Sequence, residues 1–421
     1  MPDVMADAGR FEECGISLGR MEMYKVMLAM QKLVESHPLE RIRFFGKIYG
    51  LKAPYYVVEA VYKDGERPFD APEGAAADAR AADSGYDEYD GDYSARGGRA
   101  ADGQPGEAGG DGFVPPASQH KAPPQPPMEE FEGANKYAYF VCSFPGGEWT
   151  KLPDVTPKQI VAARAITKFF TGSLDAPVES YPPFPGTEKN YLRAQIARIV
   201  AATAVAPAGR YVDPAELESL DGGEDDDNVS VVSNMDFNVA DNEEIGEPAG
   251  WIHRERFILP QGRCFWWEPP RDDASRDESE FDEESMLSAN APEPEFGPPL
   301  LTPLADDEPI GAFPAWSVRY SSAVATRYAT ILMQSNRWPG AYAYANGRSS
   351  ACIYVGYGQK YQPTHFTPQP PPQPPPQPAA EYAGDDIVER ADATDERDAL
   401  LRGEDDDVSY ASGSEMYSDD R

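Results

Sequence analysis

"RFFGKIYGLKAPYYVVEA", residues 43–60, contains two apolar runs whose residues alternate between opposite sides of an extended chain. The proline in LKAPYY, residues 51–56, separates the two runs and is typical of a turn. We therefore predict a β-hairpin that forms part of the core. In the first strand, Phe44, Gly46, Ile48 and Gly50 are expected to share one face, and in the second strand Tyr56 and Val58 are expected to share a face in turn.

Two glycines interrupt the first strand of this hairpin. Glycine inside a strand usually marks a bulge or a close approach by another backbone, so we expect Gly46 and Gly50 to lie beneath a packed element. The segment KYAYFVCSF, residues 136–144, has the same strand-like alternation. Residues 64–133 are therefore interpreted as an insertion between two strands.

Three helices are predicted from spacing and capping residues. Apolar residues recur at helical spacing over 20–35, and this methionine-rich stripe favours core packing over a groove for a partner. Thr156 suits an N-cap before Pro157, and Gly172 suits the end of the same helix. Thr187 begins a third helix, whose apolar face is expected to carry Leu192, Ile196, Ile199, Val200 and Thr203.

The second half of the chain is rich in predicted strands: WIHRERFIL, RCFWWE, AWSVRYSS, RYATILMQS, AYAYA and ACIYVGYG. A type II turn is predicted at Pro339 and Gly340, because glycine adopts the positive φ of its third position. The turn and sheet motif that we single out comprises Trp338, Pro339, Gly340, Tyr342 and Tyr344, with the tyrosines interpreted as sheet packing. The predicted fold class is α+β, a largely antiparallel sheet with a few helices and long acidic insertions.

Charge is distributed unevenly along the 421 residues, whose formal net charge is -35. Most acidic residues lie in four stretches that lack any pattern able to bury apolar surface, so we predict them to be disordered. The predicted folded blocks are 10–63, 134–212, 249–269 and 311–361, which together form one core over 10–361. The predicted disordered segments are the insertions 64–133, 213–248 and 270–310 and the tail 362–421.

The Pro-rich and acidic segments leave two alternatives open. PQPPPQPPPQP at 368–378 is typical of polyproline II and is interpreted as a stiff spacer more readily than as a docking ligand. The acidic insertions either serve solubility alone or have a role in binding. Outside the acidic stretches basic residues exceed acidic ones by 11, so a mildly basic core with acidic insertions is expected.

The sequence lacks the common catalytic and metal-binding motifs. It contains no Gly-rich phosphate loop, no G-x-S-x-G and no H-E-x-x-H, and its four histidines are scattered. The four cysteines lie at least 88 residues apart, which favours reduced cysteines over a metal site or a disulfide framework. We therefore expect no enzyme activity, no cofactor and no metal. Neither a signal peptide nor a membrane span is predicted, and the negative charge argues against nucleic acid.

Four collinear blocks of this sequence resemble the radial spoke head 4/6 family. They are FEECGISLGRMEMYKVMLAMQKLVESHPLERIRFFGKIYGLKAPYYVVEA, YFVCSFPGGEWTKLPDVTPKQIVAARAITKFFTG, YPPFPGTEKNYLRAQIARI and SNRWPGAYAYANGRSSACIYVGYGQKY. The resemblance runs from about residue 10 to 361 and is interrupted at the acidic insertions. Members of the family usually carry additional sequence before the first block, whereas this chain has only a short segment ahead of Phe11.

The resemblance implies a non-enzymatic scaffold of the axoneme in motile cilia and flagella. Such proteins form the head of the radial spoke, which points from a doublet microtubule toward the central pair. The implied partners are a paralogous 4/6 subunit, the smaller spoke head 9-like subunit and the surface of the central pair apparatus. The alternative from charge alone is a cytosolic acidic adaptor or chaperone-like protein that binds basic clients.

Overall fold

The computed structural model describes residues 3–68, 124–213, 231–269 and 293–362. The predicted disorder within 69–123, 214–230 and 270–292, and that of the tail from residue 363, lies outside the described residues.

The described residues form five α-helices and twelve strands. The helices are α1 (Val4–Glu13), α2 (Arg20–Ser36), α3 (Pro157–Ala165), α4 (Glu188–Thr203) and α5 (Asn242–Ile245). The first six strands are β1 (Leu39–Ile48), β2 (Tyr55–Tyr62), β3 (Ala138–Cys142), β4 (Thr150–Lys151), β5 (Val205–Pro207) and β6 (Tyr211–Val212). The others are β7 (Val232–Ser233), β8 (Trp251–His253), β9 (Trp316–Tyr320), β10 (Ile331–Ser335), β11 (Ala341–Asn346) and β12 (Ser349–Gly356).

Eight strands form one sheet in the order β4-β3-β2-β1-β12-β11-β10-β9. Every neighbouring pair in it is antiparallel except β1 and β12, which run parallel with Gly46 opposite Tyr354 and Ile48 opposite Gly356. The sheet is thus two antiparallel halves, one from each end of the described chain, that meet at a parallel pair. The predicted α+β class with a largely antiparallel sheet is confirmed.

Each face of the sheet is covered by its own set of elements. Helices α1 and α2 cover one face, where Phe44, Tyr56 and Val58 lie among residues such as Met30 and Leu33. Helices α3 and α4 cover the other face over the N-terminal half of the sheet. The small β5–β8 ribbon and α5 cover that same face over the C-terminal half, around a buried Trp251. Strands β2 and β3 are therefore buried on both sides, which explains their nearly continuous apolar sequences, whereas the edge strands β4 and β9 are partly exposed.

The predicted hairpin is confirmed as β1 and β2, but the predicted alternation within β1 is wrong. Phe44 pairs with Val58 and Gly46 with Val57, so Phe45 is an extra residue that forms a bulge. The extra residue reverses the alternation beyond it. Phe44 consequently packs beneath α2, whereas Ile48 packs with the core beneath α4 instead of sharing the face of Phe44.

Both glycines of the first run meet another backbone, as expected. Gly46 has a φ of 149°, and a Cβ atom there would lie 1.8 Å from the carbonyl oxygen of Tyr354. A Cβ atom on Gly50 would lie 2.4 Å from the carbonyl oxygen of Ala53. Gly50 follows the end of β1 and forms an isolated parallel bridge with Phe170, so its placement inside the strand is corrected.

The predicted starts of the three helices are confirmed, but the predicted end of α3 and the predicted single apolar face of α4 are wrong. Helix α2 covers the predicted range, and α3 begins with a capping box at Thr156 followed by Pro157. Helix α3 ends at Ala165 rather than at Gly172, because the following residues extend to bring Phe170 into the core and onto Gly50. Helix α4 is buried around most of its circumference, including Arg193, so the predicted single apolar face understates its burial.

Four of the six strands predicted in the second half are confirmed as β9 to β12, and WIHRERFIL contains only the three-residue β8. No strand forms over RCFWWE, residues 263–268. The carboxylate of Glu129 accepts hydrogen bonds from the backbone N–H groups of Cys264 (2.7 Å) and Phe265 (3.0 Å). A side chain from another segment therefore satisfies polar groups that a strand would have paired.

Parts of the segments predicted to be disordered belong to the folded core. Glu129, Phe237, Ile245 and Leu304 are buried, and each lies inside one of the predicted insertions. The boundaries 64–133, 213–248 and 270–310 are therefore too wide at their described ends. The reason is that these residues reach their core contacts singly, without a periodic pattern that the sequence would display.

The parallel contact between β1 and β12 can be tested at Gly46. Replacement by alanine should lower the free energy of unfolding by about 3 kcal/mol or more, since it combines an unfavourable φ with a backbone clash. Denaturant unfolding of the purified chain measures this. Gly9→Ala is the matched control, because nothing lies within 4 Å of a Cβ atom there and helix α1 gains about 0.5–1 kcal/mol from alanine. Equal stability of both variants would contradict the close approach.

Candidate assembly surface

The predicted motif at 338–340 is the turn between β10 and β11. The N–H of Ala341 donates to the carbonyl of Trp338 at 3.0 Å, and Gly340 has a φ of 104°, as a type II turn requires. A Cβ atom on Gly340 would lie 2.5 Å from the carbonyl oxygen of Val355. The Trp338 side chain is buried in the core beneath α4. The predicted turn is confirmed, and glycine is also needed there for contact with β12.

Tyr354 connects this turn to the predicted hairpin. Its hydroxyl donates to the carbonyl of Pro339 at 3.1 Å and accepts from the N–H of Gly358 at 2.8 Å. Its ring stacks on Phe45 of β1 with ring centroids 6.1 Å apart. The end of the sheet where β1 and β12 finish is thus closed by one tyrosine from β12.

The structure brings only some of the predicted residues together. Ile48, Gly50, Trp338, Pro339 and Gly340 lie at this end of the sheet. Tyr342 and Tyr344 instead face helix α1. The rings of Tyr344 and Phe11 meet edge to face at 5.0 Å, and the Tyr344 hydroxyl donates to the Asp7 carboxylate at 2.6 Å. Their interpretation as packing residues is confirmed.

A buried carboxylate that the sequence analysis did not single out organises the same end. Glu188 is 3% exposed and lies in the first turn of α4. Its oxygens accept from the Tyr55 hydroxyl (2.7 Å), from the N–H and hydroxyl of Thr171 (2.8 and 2.7 Å), and from the N–H of Gly172 (2.8 Å). The only sequence signal was a glutamate directly after the Thr187 N-cap, which is typical of exposed helix starts as well.

Exposed aromatic residues lie at the same end of the sheet, next to the ends of β1 and β12. Phe169 is 55% exposed and Tyr357 is 58% exposed, and their rings are 5.7 Å apart. Tyr49, which is half-buried, lies 5.4 Å from Tyr357. We call these three residues the aromatic patch. Clustered exposed aromatic side chains are typical of protein contact surfaces.

Four cations lie beside the aromatic patch: Arg164, Arg198, Arg337 and Lys360, which we call the basic cluster. Arg198 lies over the ring of Trp338 at 5.2 Å. Burial lowers the pKa of Lys360, and the charges of Arg198, Arg337 and Arg164 lower it further. Burial, with Arg164 adding to it against an opposing effect of Tyr191, lowers the pKa of Arg198 to about 10, so that it remains charged at neutral pH. The four side chains create a positive field at this end of the sheet.

The described residues give little evidence of a catalytic or metal-binding site. No group of three or more His, Cys, Asp or Glu side chains in the described ranges is placed to hold a metal ion. All four cysteines are free. His253 is held by Asp307 at 3.0 Å, and Asp307 also accepts from the Trp316 indole N–H at 2.6 Å, so this histidine joins β8 to its neighbours. Within the described part of the chain, no helix has the length and apolarity to span a membrane.

The fold and this surface define an α+β protein with an exposed aromatic and basic contact surface and, within the described residues, no metal-binding cluster. Comparison with known proteins gives the family. The family model described as "Radial spokehead-like protein" matches residues 1–399. The chain belongs to this family, whose members are components of the radial spoke in the axoneme of cilia and flagella, and the resemblance of its four sequence blocks is confirmed.

Individual relatives agree with this assignment. Radial spoke head protein 6 homolog A of Mus musculus is 43% identical over 408 residues, which are 96% of this chain and 55% of the mouse protein. Radial spoke head protein 4 homolog A of Homo sapiens is 40% identical over an alignment of 422 positions, which covers 99% of this chain and 55% of the human protein. Flagellar radial spoke protein 4 of Chlamydomonas reinhardtii is 36% identical over 374 residues, 87% of this chain and 68% of the algal protein. The chain thus spans about half the length of the mammalian relatives.

The turn at Gly340 provides one test of this site. Gly340→Val should lower the free energy of unfolding by roughly 1–3 kcal/mol or more, since valine disfavours a positive φ and would meet the carbonyl of Val355. Thermal and denaturant unfolding measure the loss. Gly347→Asn is a suitable control, because Gly347 also has a positive φ, has open space around it, and asparagine tolerates that conformation. A Gly340→Val variant as stable as the wild type would show that the turn is not of type II.

The buried carboxylate provides a second test. Glu188→Gln should destabilise the chain by about 2–3 kcal/mol, because an amide group replaces one acceptor oxygen that faces buried donors. Denaturant unfolding is again the measurement. Glu179→Gln removes the same charge from an exposed side chain and is expected to change stability by less than about 0.5 kcal/mol. If both glutamine variants unfold alike, Glu188 does not anchor this end of the sheet.

Proposed function

We propose that this chain is a non-enzymatic structural subunit of the axonemal radial spoke head in cilia or flagella. The observation that carries the proposal is the family match over residues 1–399. The described core supports it, because its buried polar groups serve packing. Glu188 and Glu129, for example, each accept hydrogen bonds from backbone N–H groups of other segments. A rigid core with an exposed contact surface suits a scaffold.

The partners in this proposal are other spoke head subunits, namely a paralogous 4/6 subunit and a smaller spoke head 9-like subunit. The acidic segments would face the central pair apparatus and help to regulate motility through charge. Support for that part comes from the charge distribution, since the acidic residues concentrate outside the strands of the sheet. A brush of charges depends on net charge more than on residue order.

Association with the axoneme tests the structural role. The chain, expressed with an epitope tag in ciliated cells, should co-sediment with purified axonemes after mild detergent and be released by strong salt. A cytosolic acidic adaptor would leave with the detergent-soluble fraction, which would overturn the proposal. A tagged soluble cytosolic protein of similar size controls for trapping.

The acidic brush is tested by rescue of a flagellate strain that lacks its own family member. The residues to alter are 214–230, which carry seven acidic and no basic side chains. The wider range 213–248 is unsuitable, because Phe237 and Ile245 are buried. Shuffling 214–230 should preserve head assembly and beating, whereas replacing its acidic residues with Asn and Gln should preserve assembly and alter the beat. Electron microscopy and video recording score the two. A shuffled version that fails while the neutral version beats normally would require a specific linear motif instead.

A further inference from the structure

The basic cluster has no carboxylate partner among the residues that the structure describes. Arg164 donates to the carbonyls of Ile258, Leu259 and Pro260, and Arg198 to the carbonyl of Ala163 and the side chain of Gln195. Arg337 donates to the carbonyl of Glu308. These are neutral acceptors, so none of these hydrogen bonds pairs a positive charge of the cluster with a carboxylate.

Two carboxylates that interact electrostatically with the cluster are bound to other groups. The charge of Glu295 favours the charged form of Arg164 and raises its pKa against the effect of burial. The Glu295 carboxylate, however, accepts a hydrogen bond from the backbone N–H of Gln261 at 3.0 Å. The charge of Arg337 likewise lowers the pKa of Asp307. The oxygens of Asp307, however, accept from the Trp316 indole N–H and contact His253. Neither carboxylate forms an ion pair with the cluster, in a protein whose formal net charge is -35.

This arrangement opposes stability in the free protein. Burial and three neighbouring guanidinium groups all lower the pKa of Lys360, which means that its charged form is disfavoured where it lies. A side chain that served only the fold would be more stable as a neutral residue. Uncompensated like charges that are held together by a folded scaffold are typical of sites that bind an anionic partner.

The aromatic patch continues the same surface. Tyr357 of the patch and Lys360 of the cluster belong to one segment after β12, and between them the Gln359 side chain donates to the carbonyl of Lys168, next to Phe169. The backbone N–H of Tyr361 donates to the carbonyl of Arg337 at 2.8 Å, which holds the end of this segment against the cluster. Positive charge and exposed aromatic rings therefore lie side by side on a surface fixed by hydrogen bonds.

We propose that the basic cluster and the aromatic patch form a docking site for an acidic peptide segment of a partner protein that also carries aromatic or apolar side chains. Carboxylates of the segment bind Arg337 and Lys360, and its apolar side chains pack on Phe169 and Tyr357. Charge complementarity selects the partner, because the cluster is cationic and its neighbouring carboxylates are occupied. The site is a property of the folded core and does not depend on the proposed place of the chain in the spoke head.

An acidic peptide fits better than a nucleic acid or a small anion. A nucleic acid carries a phosphate at every nucleotide, and a cluster of four cations would neutralise only a few of them. A small anion would use the cations alone and leave the adjoining aromatic rings without a role. A peptide can carry carboxylates and apolar side chains a few residues apart, so it can contact the basic cluster and the aromatic patch together. Its charges more than about 8 Å from the cluster are largely screened at physiological ionic strength.

The test is binding of fluorescent peptides to the full chain, followed by fluorescence anisotropy at physiological salt. The first probe is an oligoglutamate peptide interrupted by phenylalanines, and its glutamine counterpart is the control probe. Lys360→Gln and Arg337→Gln should each weaken binding of the glutamate peptide by about tenfold. Lys32→Gln removes the same charge from the exposed face of α2 and should leave the affinity unchanged. Phe169→Ala should weaken this probe but not plain oligoglutamate.

Stability measurements separate binding from folding. Lys360→Gln should unfold at a temperature equal to or above that of the wild type, because it removes like-charge repulsion, while it loses binding. The proposal is overturned if Lys360→Gln and Lys32→Gln bind alike, or if the glutamine peptide binds as well as the glutamate peptide. It is likewise overturned if inorganic phosphate or a single-stranded oligonucleotide displaces the peptide at equal or lower concentration, since the site would then favour phosphate.

Discussion

The large sheet depends on the close parallel contact between β1 and β12. Each half of the sheet is antiparallel and is built from strands near to one another in the chain, but β1 and β12 are separated by about 300 residues. Gly46 permits the contact because it has no Cβ atom to meet Tyr354. Arg43 adds a second link, since it pairs with Glu59 of β2 at 2.7 Å and donates to the carbonyl of Cys352 of β12 at 3.0 Å. This contact joins the two halves into one sheet, and it therefore fixes the positions of both faces and of the surface at the end of the sheet.

The chain tolerates long acidic segments because they are inserted between elements that are already held together. Residues 69–123 separate β2 from β3, which are direct neighbours in the sheet, and residues 214–230 separate β6 from β7, which pair with each other. Arg67 closes the first insertion by pairing with Asp154 at 2.7 Å. The entropic cost of a loop rises only with the logarithm of its length. Added length at these positions therefore changes the stability of the sheet little.

Features that depend on a few neighbouring residues could be predicted from the sequence. The hairpin, the capping box at Thr156 and the turn at Gly340 are of this kind, because their geometry follows from local residue types. The bulge at Phe45 and the end of α3 at Ala165 could not, since each is decided by a partner that lies far along the chain. Glu188 and Glu129 show the same limit. Nothing in their neighbourhood distinguishes a glutamate that will be buried by distant backbone donors from one that will stay in water.

The charge of this protein has to be considered locally. A net charge of -35 describes the chain, yet the residues outside the four acidic stretches have an excess of 11 positive charges. Surface potentials decay over about 8 Å at physiological ionic strength, so a partner close to the basic cluster meets Arg337 and Lys360 and not the average charge. The cluster also cannot be explained by stability, because Lys360 lies half-buried among three guanidinium groups. The core keeps such a group while most carboxylates lie in other segments of the sequence, so the two signs of charge are separated along the chain. The docking proposed above uses that separation, because an acidic partner would bind the basic cluster at the end of the sheet and not the acidic segments.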